Sequence, residues 1–270
     1  MKRAFTISAL ATLVLLSYAL YQGMVVAPTE ATMGEVQRIF YYHLPHAWVA
    51  FLLFFTNFVA SAWYLIRRSQ RADALAHASA EVGVVFCTVV LVTGPLWARP
   101  VWGIWWTWDA RLTSTLVLWL IYVSYLVLRR FATGGQTQVL SAALAIFGFL
   151  DVPIVYLSIR YFRTQHPQPV IAGGEGSGID PRMWTAVLWN LAAFLCFALL
   201  LLWLRYRLAV AEHAVEEAHA DRALRPQARA TTFVLPTRSK PDPPQQTPTR
   251  GLSATQSDDR REIQRAENRR

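Results

Sequence analysis

Charge is scarce in this sequence. Only 16% of its 270 residues are Asp, Glu, Lys or Arg, against roughly 25% in a soluble domain. Lysine is nearly missing, with Lys2 and Lys240 alone, so arginine at any one site carries no special meaning. Cysteine is almost absent too. Cys87 and Cys196 each stand inside an apolar run, and there is no C-x-x-C pair. That excludes a disulfide framework, a zinc ribbon and a C-x-x-C-H attachment site. Both cysteines are expected as small buried hydrophobes in helices. No internal repeat is visible, which leaves an inverted-repeat transporter without support. No basic stripe with interleaved aromatics occurs, so the net charge of +9 suits an anionic membrane surface better than nucleic acid.

What remains is apolar. Hydrophobic residues make up 54% of the chain and its mean hydropathy is +0.27, which excludes an ordinary water-soluble enzyme. The few charges are also unevenly placed. Residues 1–204 hold 13 Lys+Arg and 8 Asp+Glu, and the much shorter stretch 205–270 holds 13 and 9. Crossing a bilayer takes about 20 apolar residues, and six runs qualify: 4–26, 48–66, 80–97, 112–128, 139–157 and 183–204. The first run follows Lys2-Arg3 but is too long for a secretion signal, and Pro28 spoils cleavage after Ala27; it is expected as a retained helix. The fold class is therefore all-α, a polytopic integral membrane protein with six transmembrane helices.

Loop charges set the expected orientation. One side collects Lys2, Arg3, Arg67, Arg68, Arg71, Arg129, Arg130, Arg205 and Arg207, in clusters against helix ends; the other has Arg38, Arg99, Arg111, Arg160, Arg163 and Arg182. The richer side is cytoplasmic by the positive-inside rule, so both termini face the cytoplasm and segments 27–47, 98–111 and 158–182 face outward. The membrane domain spans 1–208. Residues 209–224, rich in Ala and Glu, are a candidate helical extension. The Pro-rich stretch 225–270 is expected to be a disordered cytoplasmic tail.

The outward segments hold the unusual residues. Counting Trp97, five tryptophans fall within twelve residues, where the chain's rate of 11 in 270 would place about half of one. An aromatic belt explains one or two, but not five beside an Asp and two Arg. If the stretch is helical, Trp102, Trp105, Trp106 and Asp109 share a face, a flat apolar slab with a polar edge that suits a large planar ligand. His43, His46 and His166 lie on the same side, whereas His77, His213 and His219 are expected to be cytoplasmic and solvated. Two outward histidines flanking such a slab resemble axial iron ligands. Leu44-Pro45 would hold His43 rigidly, and His46 is either a second ligand or a bystander. Asp151, beside Pro153 toward the outer end of the fifth run, is either an interfacial carboxylate or a partner for an external arginine or histidine.

The run Trp102-Gly103-Ile104-Trp105-Trp106-Thr107-Trp108-Asp109-Ala110-Arg111-Leu112-Thr113-Ser114 resembles the W-G-x-W-W-x-W-D signature of haem-handling proteins. Its Ala-Arg-Leu-Thr-Ser extension is similar to the cytochrome c maturation protein C (CcmC, haem exporter protein C) family. Tyr42-His43-Leu44-Pro45, Asp151-Val152-Pro153-Ile154-Val155-Tyr156 and the isolated His166 support the likeness, which covers roughly residues 30 to 205. The resemblance implies six helices with both termini cytoplasmic in the bacterial inner membrane. It implies transient, non-covalent haem b on the periplasmic face, passed to a membrane-anchored haem chaperone with help from ABC-type transporter subunits. Residue by residue, it makes His43 and His166 the axial ligands of the haem iron, and Trp102, Trp105, Trp106, Trp108 and Asp109 the haem-facing motif. His46 and the Pro-rich tail lie outside the family pattern.

The reading is thus a haem-binding and transfer protein rather than an enzyme, since no nucleophile, general base or phosphate loop is evident. The rival is a membrane redox subunit passing electrons through bound haem to or from quinone. That arrangement usually places histidine pairs inside the helices, whereas the candidate ligands here fall outside the expected runs.

Overall fold

In the computed structural model, residues 2–132, 136–162, 164, 166 and 178–231 are described. Among them the chain is helical, apart from connecting loops and one isolated bridge between Glu30 and Gly34. The helices are α1 (Lys2–Tyr21), α2 (Phe40–Arg67), α3 (Gln70–Trp102), α4 (Ala110–Phe131), α5 (Thr137–Phe149), α6 (Asp151–Tyr161) and α7 (Pro181–Thr231). A π-helical turn, Gln22–Val26, extends α1, and a 3-10 turn, Glu35–Ile39, leads into α2. Six of these stretches are long and apolar enough to cross a membrane. The fifth is α5 and α6 together, Thr137–Tyr161. Its break has a local cause: Pro153 brings no N–H for the carbonyl of Phe149 and its ring crowds that carbonyl, so the helix restarts at Asp151. Asp151 therefore sits near the middle of this span, not toward its outer end.

Several boundaries differ from the expected runs. α2 begins at Phe40, two turns before the apolar run does, because an amphipathic turn can hold helical geometry outside the hydrocarbon. His43 and His46 are consequently helical residues, not loop residues. α7 continues past the membrane run through 209–224 to Thr231; the remainder of the expected tail lies outside the described residues. So do Arg163 and most of the third outward segment. Residues 1–222 form one compact unit and 223–270 another.

The core of the first unit is built from α2, α3, α4 and the inner faces of α5 to α7. Phe54 and Tyr122 stack at 3.9 Å between ring centres. Gly83 makes room for Phe54, because a Cβ there would lie 2.7 Å from the ring. α1 leans on α7 through Phe5 against Trp203, Tyr18 edge-on to Trp189, and Asn190 Nδ2 donating to the Ala19 carbonyl at 3.0 Å. At the end opposite the tryptophan segment, Arg129 grips both oxygens of buried Asp73 at 2.6 Å each, and Arg205 pairs with Glu81. His77 and His213 were expected to be solvated, but they are half-buried, lying 3.6 Å from Glu81 and 3.5 Å from Asp73. Helix packing around these carboxylates draws them in. Cys87 is buried as expected, whereas Cys196 is exposed on the surface of α7.

Candidate functional site

The tryptophan segment is not a helix. α3 ends at Trp102, capped by Gly103 in the left-handed region at φ 78°, where a side chain would be strained. Residues 104–109 run as an irregular loop until Asp109 starts α4. The Asp109 carboxylate accepts the backbone N–H groups of Arg111 at 3.0 Å and Leu112 at 2.9 Å, and the Thr107 hydroxyl at 3.0 Å. It is an N-cap. The expected shared face of Trp102, Trp105, Trp106 and Asp109 is therefore replaced by a loop that turns Trp106 inward, leaves Trp105 half-exposed and sends Trp108 out.

Beside this loop is a cavity of about 920 Å³ bounded by α2, α3, α4, α6 and the start of α7, toward the upper end of the roughly 300–1,000 Å³ usual for ligand pockets. Trp97, Trp102, Trp105, Trp106, His43 and His166 all line it. Trp97 is buried, with its ring 6.4 Å from that of Trp102, while Trp105 is 56% exposed at the mouth. Trp108 and Asp109 are not part of the lining: Trp108 is 76% exposed and meets Trp106 edge-on at 5.7 Å. The indole N–H groups of Trp97 and Trp106 are buried without an acceptor. Two such donors on lining residues suit a ligand that brings acceptor atoms.

The two expected ligand histidines meet in this space. Their ring centres are 6.4 Å apart at a tilt of 38°. His43 is carried on the first turn of α2, where its Nδ1 lies 2.8 Å from the Thr93 hydroxyl of α3. Gly94 lies beside this contact, where a Cβ would meet His43 Cε1 only at an ordinary van der Waals distance of 3.7 Å. His166 Nδ1 lies 3.3 Å from Arg111 Nη1, and its backbone N–H donates to Thr164 at 2.9 Å. His46 is not among the lining residues. Its Nδ1–H donates to the Tyr42 carbonyl at 2.7 Å and its ring packs against Phe86 and Phe194.

Charge around the cavity is sparse and specific. Arg111 occupies the first turn of α4, where the helix dipole disfavours a cation, and it forms no ion pair among the described residues. Arg182, also in the lining, is paired with Asp180 at 3.2 Å. Its side-chain and backbone hydrogen bonds hold the Asp180 carboxyl below the usual range. Arg99 donates to the Gly103 carbonyl and does not line the cavity. Arg38 donates to the carbonyls of Gly23 at 2.8 Å and Ala27 at 3.1 Å, pinning the loop whose Pro28, Glu30 and Met33 form one wall. Asp151 has one buried oxygen without a partner, forms no ion pair among the described residues, and is not in the lining.

Sequence reasoning missed Thr93, Gln37 and the wall formed by residues 28–33. Thr93-Gly94-Pro95 inside an apolar run was a usable signal, because Gly and Pro in a helix mark a close approach. Nothing in the sequence, however, ties position 93 to position 43.

Comparison with known proteins shows the family. A family model described as haem exporter protein C matches residues 1–221. The chain belongs to the haem exporter protein C family. It is 36% identical over 173 residues to a haem exporter protein C of Bradyrhizobium diazoefficiens, which covers 64% of this chain and 65% of that one. With the Escherichia coli K12 protein of the same name it shares 33% over 210 residues, 74% of this chain and 80% of that one. The Haemophilus influenzae protein is 31% identical over 198 residues, 73% and 80% of the two chains.

Proposed function

We propose that this family member handles haem for cytochrome c maturation by holding it between His43 and His166, against Trp97, Trp102, Trp105 and Trp106. The site faces the periplasm from the inner membrane. Haem b is bound non-covalently and passed on to a membrane-anchored haem chaperone, with ABC-type transporter subunits as further partners. The role is binding and transfer, not turnover.

The observation that carries this reading is the 6.4 Å between the histidine ring centres. A metal–imidazole bond is about 2 Å and the bonding nitrogen lies about 1 Å from its ring centre, so two rings ligating one metal from opposite sides have centres about 6 Å apart. Thr93 occupies His43 at Nδ1, which leaves Nε2 as the ligating nitrogen of that residue. The tryptophans supply apolar contact to a macrocycle, and Arg111 supplies the positive charge that a propionate carboxylate needs. Because the cargo must leave, contacts that are individually modest suit the task better than a covalent bond.

Spectroscopy of the purified full-length protein with haem tests this. The expected result is a six-coordinate Soret spectrum that becomes five-coordinate in His43→Ala and in His166→Ala, with cytochrome c maturation lost in the double variant. Wild-type spectra and haem content in both single variants would overturn the assignment.

A further inference from the structure

Each of the two histidines makes a hydrogen bond through Nδ1, but with partners of opposite character. The Thr93 hydroxyl lies 2.7 Å from the carbonyl of Val89, four residues back on α3, and 3.4 Å from that of Val90. A carbonyl brings no proton, so an oxygen–oxygen approach of 2.7 Å has the hydroxyl hydrogen between the atoms. Thr93 then has only lone pairs left for His43, 2.8 Å away. His43 must donate, so its proton is on Nδ1 and the lone pair is on Nε2. Arg111 is the reverse case. A guanidinium has five donors and no acceptor, so at 3.3 Å it donates to His166 Nδ1. In a neutral imidazole only one nitrogen accepts, so the lone pair of His166 is the one that Arg111 occupies and its proton is on Nε2.

We infer that the two histidines are unequal ligands: Thr93 presets His43 to coordinate through Nε2, whereas Arg111 latches His166 until a carboxylate on the incoming molecule draws the guanidinium away. This rests on the haem-site reading above and gives it an order of events. Neither nitrogen of His166 reaches a metal while the latch is closed, one being protonated and the other taken. The latch is weak by construction. A contact of 3.3 Å lies at the long end for a hydrogen bond, and Arg111 has no carboxylate partner of its own among the described residues. A propionate offers two parallel contacts between opposite charges, against the single contact to a neutral ring that holds the latch. Once Arg111 moves, His166 coordinates through the freed Nδ1, or through Nε2 after exchanging one proton with solvent at each nitrogen; the net proton count does not change. The same logic runs backward. A partner that takes hold of the propionates returns Arg111 to His166 and leaves the iron on His43 alone, one ligand short and easier to remove.

Two measurements on the full chain test the latch. Histidine-selective 15N spectra of the haem-free protein report which ring nitrogen carries the proton, with His43→Ala and His166→Asn identifying the signals. The expected pattern is Nδ1–H for His43 and Nε2–H for His166, the latter becoming a mixture in Arg111→Met. Absorbance titrations then compare haem with haem dimethyl ester, which lacks free carboxylates. Wild-type protein should become six-coordinate with haem but remain mainly five-coordinate with the ester, and Arg111→Met should become six-coordinate with both. An Nδ1–H signal for His166, or identical six-coordinate spectra for both porphyrins in wild-type protein, would overturn the latch; neither needs Arg111→Met to fold, and the second needs no variant at all. Failure of the parent reading looks different: His43→Ala would then bind both porphyrins with the wild-type spectrum.

Discussion

Replacing Thr93 by Val keeps the shape of the side chain and removes its oxygen, so it isolates what the hydroxyl does for His43. The Nδ1–H of His43 now points 2.8 Å away at a methyl group instead of an acceptor. Leaving a buried donor unmatched costs about 1–3 kcal/mol, which is enough to drive the proton to the other ring nitrogen. His43 would then present a protonated Nε2 to the cavity and would have to surrender that proton before coordinating. Outer-sphere changes of this kind typically weaken metal binding about 10–100-fold, equivalent to about 1.4–2.7 kcal/mol. Thr93→Ser restores the oxygen and should recover most of the loss. Haem dissociation into an excess of apomyoglobin, measured alongside thermal unfolding, separates ligand effects from stability. The hydrogen bond from Thr93 to Val89 is a local one within α3, so unfolding should change little. If Thr93→Val releases haem at the wild-type rate with an unchanged spectrum, the argument from Thr93 to His43 is wrong.

Further outcomes follow from the same geometry. Trp105→Ala combined with Trp106→Ala should weaken haem binding at least about tenfold, since aromatic contacts contribute about 0.5–1.5 kcal/mol each beyond buried area. The residual complex should stay six-coordinate, and Trp106, deeper in the cavity than half-exposed Trp105, should account for most of the loss; haem off-rate per inserted protein, with Trp203→Ala as control, measures it. Asp109→Ala should cost about 0.5–2 kcal/mol of stability as a lost helix cap and leave the axial ligands intact, whereas Asp109→Asn should be milder, as a melting curve and a spectrum will report. A reporter active only outside the cytoplasm should work when inserted at Gly174 and fail at Gly134; the reverse would invert the orientation.

The fold was largely legible because lipid simplifies the problem. Six apolar runs separated by charged turns admit few arrangements, and six spans are present. Errors fell where apolar content stops being informative. The apolar run begins eight residues after α2 does, because the turns carrying His43 and His46 are amphipathic. The break at Leu150 leaves no mark in apolar content, and only Pro153 signals it. The chemistry of the tryptophan segment was readable as composition but not as shape. Helical spacing suggested one flat face, whereas Gly103 and the Asp109 cap turn the segment into a loop that sends Trp106 inward and Trp108 out. His43 and His166 were named from the sequence by resemblance; their 6.4 Å approach needs α2 and the region beyond α6 to be brought together, which no local pattern encodes. Thr93 and Arg111 became meaningful only beside the rings they touch.

The central claim is that one haem iron is held between His43 and His166, and chemical rescue tests it most directly. His43→Gly and His166→Gly each leave a ligand position that added imidazole can fill. The account predicts that each purified variant shows a five-coordinate haem spectrum that returns to six-coordinate on titration with imidazole, while the wild-type spectrum is unmoved. A variant that keeps the six-coordinate spectrum without imidazole, or loses haem with no recovery when imidazole is added, would contradict it.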